Sequence, residues 1–331
     1  MPRVRTAAAV KASRRGGVLS ATGPVETTVV VQTHRRPLGD SPHALFPLVL
    51  DASAVGHEGG AALLERFAAW GGNGVVVTDA ASSAVGEQET GGWLTGRRDR
   101  DRFLLVGRFG APAGAAATPR ALVTRVEEAL RRLRTDRLDV LAVRPDGAGR
   151  LDELLSAVEV LLARGLVRSA VASGFVAEEL FEARVLAAHG LPRFAAVEVR
   201  YNLLESHEAE GDLGLVAAGQ GLSLLSTVPL AHGFLRGVER TRRELGRLPD
   251  GDLAAAHLGR RGRRMLTALD AIGAELSAAP AAVALAWLLA RPRLAAATVA
   301  PRSTAEVDAL MRAVSLDLDD GHLAALDRAR R

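Results

Sequence analysis

From Phe46 onward, short runs of apolar residues alternate with longer stretches in which apolar positions return at helical spacing. The apolar runs at 46–51, 74–79, 103–108, 138–144, 168–173, 195–200, 222–227 and 295–300 predict eight strands. Between them, 61–70, 119–133, 151–163 and 177–188 read as amphipathic helices, with Thr118 and Pro119 placed as a helix start. Strands with so few polar residues are covered on both faces, and the elements at hand to cover them are the intervening helices. Eight such units close on themselves, so the expected fold class is α/β, a (β/α)8 TIM barrel. An open doubly wound sheet is the alternative, but no G-x-G-x-x-G follows the first strand. Upstream, 27–32 followed by 36–40 predicts a hairpin closing the barrel floor.

In a barrel of this kind the working residues sit at the C-terminal strand ends. Those positions are Asp51, Asp79, Arg108, Arg144, Ser173, Glu198 and Thr227, and five of the seven are charged. Charge gathered at a barrel mouth is unfavourable unless it is paired or meets a ligand.

Four stretches resemble the aldo-keto reductases, in that family's order and spacing. Residues 129–139 read ALRRLRTDRLD, similar to the family's S-L-x-R-L-x-T-D-Y-I-D. Tyr201-Asn202-Leu203-Leu204 matches the loop after strand six, and 229–237, PLAHGFLRG, the loop after strand seven. Residues 280–288, PAAVALAWL, resemble the helix P-A-Q-V-A-L-A-W-L. The resemblance implies an aldo-keto reductase-like barrel, NADPH and a tetrad of Asp, Tyr, Lys and His, with tyrosine as the proton donor.

Only one tetrad position keeps its residue. Asp79 matches the aspartate, but the tyrosine position is Ala84, the lysine has become Arg108 and the histidine has become Arg144. Independently of alignment, the chain has a single tyrosine, Tyr201, which belongs to another motif, and a single lysine, Lys11, near its start. A Tyr/Lys donor pair therefore cannot be assembled in the ordinary way. The resemblance assigns cofactor contacts to Ser173 at the nicotinamide and to Arg302 and Ser303 at the 2′-phosphate, but Glu198 stands where the family has glutamine. Thr227 replaces the stacking aromatic, and Glu306 and Leu310 replace the adenine-holding Gln and Asn. These changes predict that no cofactor is held, with NADP bound at Ser173, Arg302 and Ser303 as the alternative.

Composition narrows the remaining classes. With 48% apolar residues in 331, the chain carries a large core, and no run of eighteen apolar residues predicts a membrane span. Absence of cysteine removes disulfides and thiolate chemistry and fits a cytoplasmic protein. The formal charge of +4 is concentrated before Glu26, so residues 1–25 are expected as a disordered basic tail ahead of a single barrel domain, 26–331. No aromatics interleave with those basic residues, which argues against nucleic acid as a partner. His57 and His232 lie in no metal-ligand spacing, and no metal is expected.

The remaining charges suggest acid/base chemistry. Asp79 and Arg108 are expected as an ion pair, either structural or catalytic, and Arg144 adds a second cation suited to an anionic small-molecule substrate. Asp51 is either a second acid/base group or a loop cap, and Glu198 is a third carboxylate. Trp93 and Tyr201 are expected with Thr227 around the substrate pocket, Trp93 equally as a packing residue. The leading expectation is a redox-neutral biosynthetic enzyme catalysing dehydration, isomerisation or cyclisation, in the manner of a lyase, isomerase or cyclase. The alternatives are an NADP-dependent oxidoreductase with an atypical site and a pseudoenzyme that only binds a ligand or partner.

Overall fold

The computed structural model describes residues 35–55, 59–78, 84–110, 119–145 and 150–331. Within them β1 (Leu48–Asp51), β2 (Gly74–Thr78), β3 (Leu104–Gly110), β4 (Leu138–Arg144), β5 (Val167–Ser173), β6 (Ala196–Val199), β7 (Ser223–Ser226) and β8 (Leu294–Val299) form a closed barrel. Every neighbouring pair is parallel, and β8 closes the ring on β1 through Ala297 opposite Leu48. The fold is a (β/α)8 barrel, and all eight strands stand where the apolar runs predict them.

The surrounding helices are α1 (Gly60–Ala69), α2 (Ala84–Thr95), α3 (Pro119–Leu133), α4 (Leu151–Ala163), α5 (Ala177–Ala188) and α6 (Asp212–Gly219). They are followed by α7 (Arg260–Glu275), α8 (Pro280–Leu289), α9 (Thr304–Met311) and α10 (Asp320–Ala329). Helix α8 opens on Pro280, whose missing N–H is no loss at a first turn, and buries every residue from Ala281 to Leu289. No single helix among the described residues is long and apolar enough to cross a membrane.

Side chains alternate along each strand, and the alternation sorts the core into two layers. Val49, Val76, Val106, Val140, Ala142, Val171, Ala196 and Leu225 point inward and fill the barrel. Leu48, Leu50, Val75, Val77, Leu105, Leu141, Val197 and Leu224 point outward and pack under the helices. Because the interior residues are mostly valine and alanine, the barrel is a packed core and not a channel.

A floor hairpin forms, with the start of the expected segment 36–40 as one strand and 44–45, which was not expected, as the other. Arg36–Pro37 pairs antiparallel with Ala44–Leu45, and 27–32 lies outside the described residues, as does the basic tail. Leu38 and Leu45 plug the lower end of the interior layer. The turn rests on the strand starts: Gly39 N donates to Ser223 Oγ at 2.9 Å, and Arg36 reaches the carbonyl of Leu294 at 2.8 Å. Gly39 has φ of +54°, and a Cβ there would fall 2.0 Å from the carbonyl oxygen of Ala195, so both conformation and contact demand glycine. Periodicity missed the partner strand because two residues are too short to show a period.

Candidate active site at the barrel mouth

Inward alternation continues to the strand ends and collects the polar residues. Asp51 lies two residues beyond Val49, Arg108 beyond Val106, Arg144 beyond Ala142, Ser173 beyond Val171, Glu198 beyond Ala196 and Thr227 beyond Leu225. Each follows an inward-facing residue at the strand period, so six side chains from six strand ends are directed to one rim.

Three of them are bonded into one unit. Arg108 Nε lies 3.0 and 2.9 Å from the two carboxylate oxygens of Glu198, and Nη2 lies 2.7 Å from Oε1. Ser173 Oγ donates to Oε2 of the same carboxylate at 2.6 Å. Glu198 is 4% exposed, so this is a charge pair held largely away from water. Burial works against the charge on Arg108, but the Glu198 carboxylate and its hydrogen bonds, with a further contribution from Asp51, hold its pKa above the ordinary value. Nη1 of Arg108 makes no hydrogen bond among the described residues.

The expected partner of Arg108 was Asp79, which lies outside the described residues together with His57. Within the described residues the guanidinium is taken by Glu198 from across the barrel. Glu198, expected as a free acid/base group, is accordingly engaged on both oxygens. Asp51 takes the cap geometry: its Oδ1 accepts from Ser53 N at 2.8 Å at the start of the short 3-10 turn Ala52–Ala54. Thr227 is half-buried, and its N–H donates to Val199 O at 3.1 Å.

Arg144 behaves differently from Arg108. It is exposed at the end of β4 and makes no hydrogen bond or ion pair among the described residues. Its aliphatic stem lies against Gly174, just beyond Ser173. Among the described residues the rim therefore pairs one guanidinium, Arg108, with a buried carboxylate and leaves the other, Arg144, without such a partner.

Two residues expected at the pocket stand elsewhere. Tyr201 belongs to the layer between strands and helices: its ring meets Trp287 edge-on at 5.9 Å, and its hydroxyl donates to Glu210 at 3.0 Å. Burial and the Glu210 carboxylate push its pKa well above the ordinary phenol value. Trp93 sits near the C-terminal end of α2, edge-on to Phe103 at 4.8 Å, and donates to Glu65 at 2.7 Å. Phe103 immediately precedes β3, so this cluster lies toward the floor end of the barrel wall. Both aromatics follow packing opportunities in the helical layer, which a linear motif does not reveal.

Arg302 and Ser303 follow β8. Ser303 caps α9 by accepting from Glu306 N at 3.2 Å, and the Glu306 carboxylate accepts the backbone N–H of Arg302 at 2.8 Å. Glu239 takes the Arg302 guanidinium at 3.3 Å, and Arg236 bridges to Glu306 at 2.9 Å. Arg236 and Glu239 were not singled out as site residues, although the charges flanking Gly237 were a visible signal.

The chain belongs to the aldo/keto reductase family, whose model matches residues 61–331. It is 24% identical over 279 residues to norsolorinic acid reductase stcV of Emericella nidulans, covering 80% of this chain and 70% of that protein. Aldo-keto reductase ausK of Aspergillus calidoustus is 27% identical over 297 residues, with 84% and 74% covered. The uncharacterized oxidoreductase YrpG of Bacillus subtilis is 30% identical over 207 residues, 61% of each chain. Members of this family generally use NADP(H) and take small-molecule substrates. In this chain the groups that the resemblance assigns to the cofactor already have internal partners, Ser173 in Glu198 and Arg302 in Glu239 and Glu306.

Proposed function

We propose that this barrel is a redox-neutral enzyme acting on a small anionic metabolite. The observation that carries the reading is the contrast between Arg108, neutralised by the buried Glu198, and Arg144, exposed at the same rim with no ion-pair partner among the described residues. A free guanidinium beside a fixed polar unit suits a carboxylate or phosphate ligand, because Arg presents paired donors in one plane. Arg144 and the open Nη1 of Arg108 would hold the anion and the charge that develops when a neighbouring carbon loses its proton. Asp79 is assigned as the base, and Asp51 as the group that returns the proton, which gives isomerisation, or dehydration where a hydroxyl leaves.

Hydride transfer to a carbonyl needs a proton donor, and the only phenol in the chain donates to Glu210 within the helical layer. The NADP donor set is a poor fit as well, because Ser173 and Arg302 are already paired within the chain. The names of the relatives favour a second reading, an NADP-dependent reductase in which water or the substrate supplies the proton.

Purified protein incubated with NADPH and an aromatic aldehyde separates the two. The expected result is no cofactor oxidation above a protein-free control; turnover at rates ordinary for reductases overturns the proposal. For the assigned residues, Asp79→Asn and Arg144→Ala are each expected to abolish conversion of the true substrate, and an unchanged rate clears that residue of its role.

A further inference from the structure

The loops after β7 and β8 are tied together by four charged side chains. Arg236, at the end of the short turn Ala231–Arg236, places Nη2 2.9 Å from Glu306 Oε1 and 3.0 Å from the carbonyl of Ala300. The other oxygen of Glu306 accepts the Arg302 backbone N–H at 2.8 Å and lies 3.6 Å from Arg302 Nε. Arg302 in turn places Nη1 and Nη2 3.3 and 3.4 Å from Glu239 Oε1. Arg236, Glu239 and Glu306 are 11%, 15% and 19% exposed in their side chains, whereas Arg302 is half-exposed.

Two cations and an N-terminal backbone donor beside a helix start make an anion seat. Here the seat is filled from within the chain. Glu306 occupies the backbone donor and Arg236, Glu239 occupies Arg302, and the formal charge of the four side chains sums to zero. Among the described residues Arg236 Nε and Glu239 Oε2 are buried without hydrogen-bond partners.

We propose that Glu239 and Glu306 act as a built-in anion that closes this seat against the 2′-phosphate of an adenine dinucleotide. A phosphate arriving there meets two carboxylates where it needs donors, and the guanidiniums are released to it only if both carboxylates move. Removing the two negative charges leaves the Arg236 and Arg302 guanidiniums and the Arg302 backbone N–H without these carboxylates, an arrangement that an anion relieves. The inference extends the reading above to cofactor exclusion, but its test does not depend on turnover.

Adenosine 2′,5′-bisphosphate is the probe, titrated calorimetrically into the wild-type protein and Glu239→Gln/Glu306→Gln, with adenosine 5′-monophosphate as the comparison. The wild type is expected to show no saturable binding of the bisphosphate. The double variant is expected to bind it at least about tenfold more tightly than the wild type, with no matching gain for the monophosphate. Micromolar binding by the wild type overturns the proposal, as does a folded double variant with no gain. If the double variant does not fold, Glu239→Gln, which leaves the cap of α9 intact, carries the test: a smaller gain supports the proposal, and none overturns it. A protein that refuses the bisphosphate but reduces carbonyls with NADH would sink the proposed function and leave this inference standing.

Discussion

Gly174 lies beneath the side chain of Arg144: a Cβ at position 174 would come within 3.1 Å of Arg144 Nε and 3.3 Å of its Cγ. The glycine has φ of +68°, so backbone and contact both demand the absence of a side chain. Gly174→Ala is expected to destabilise the protein by about 1 kcal/mol or more, because alanine is strained in this region. It should also displace Arg144. Arg144→Ala removes no hydrogen bond or ion pair among the described residues, only the packing of an exposed stem on Gly174, and should leave stability within about 0.5 kcal/mol of wild type. Chemical denaturation gives both values. Titration with inorganic phosphate should show both variants binding more weakly than the wild type, and equal binding by all three would remove Arg144 from the anion site.

Glu198 is the neutralising partner of Arg108, and its loss leaves the guanidinium in a largely buried setting without its hydrogen-bonded carboxylate. Breaking one side of such a pair typically costs about 3–5 kcal/mol. Glu198→Leu is expected to fall in that range, and Glu198→Gln to lose less because an amide oxygen still accepts. Thermal melts rank the three proteins. Equal stability of wild type and Glu198→Leu would show that the pair does not hold the rim together.

Tyr201→Phe tests whether the one phenol has a structural role alone. The substitution deletes the hydroxyl bound to Glu210 and keeps the ring against Trp287. A single hydrogen bond to a charged acceptor contributes about 1.5–3 kcal/mol at most, so a modest drop in melting temperature is expected. Conversion of the true substrate should be unchanged, and a large loss of rate without loss of fold would return Tyr201 to the site.

His43 gives the protein a pH dependence at its floor. It is buried, and burial pushes its imidazole below the ordinary value of 6.5; Asp139 acts in the opposite direction, while Arg168 and Arg137 add to the depression. Asp101, Arg35 and Arg102 border the same cavity. A histidine held neutral in the folded state binds its proton more readily when unfolded, so stability falls as pH drops below 6.5 and levels off beneath the folded-state value. The urea midpoint should decrease between about pH 7.5 and about pH 5.5, ahead of the carboxylates. His43→Gln should be flatter across that window, and an identical slope would assign the dependence to another group.

The barrel could be read from the chain because its determinants are local and repeated. Runs such as 46–50 and 74–77 are apolar on both faces, and α3, α4 and α5 span the residues that helical spacing predicts. The hairpin strand Ala44–Leu45 was hidden because two residues carry no period, and the hairpin's anchors, through Gly39 and Arg36, come from Ser223 and Leu294, distant in sequence.

Residue inventory alone established that the chain has one phenol and one primary amine with which to replace a lost proton donor, and strand alternation alone directed six polar side chains to one rim. Which of them pair was settled only by closure of the barrel. Arg108 and Glu198 are separated by 90 residues, and two strands stand between theirs, so nothing local couples them. The same holds for Arg302 with Glu239, and for Tyr201 turning outward to Trp287: charge and ring pairing depend on distances in space, which a linear period does not encode.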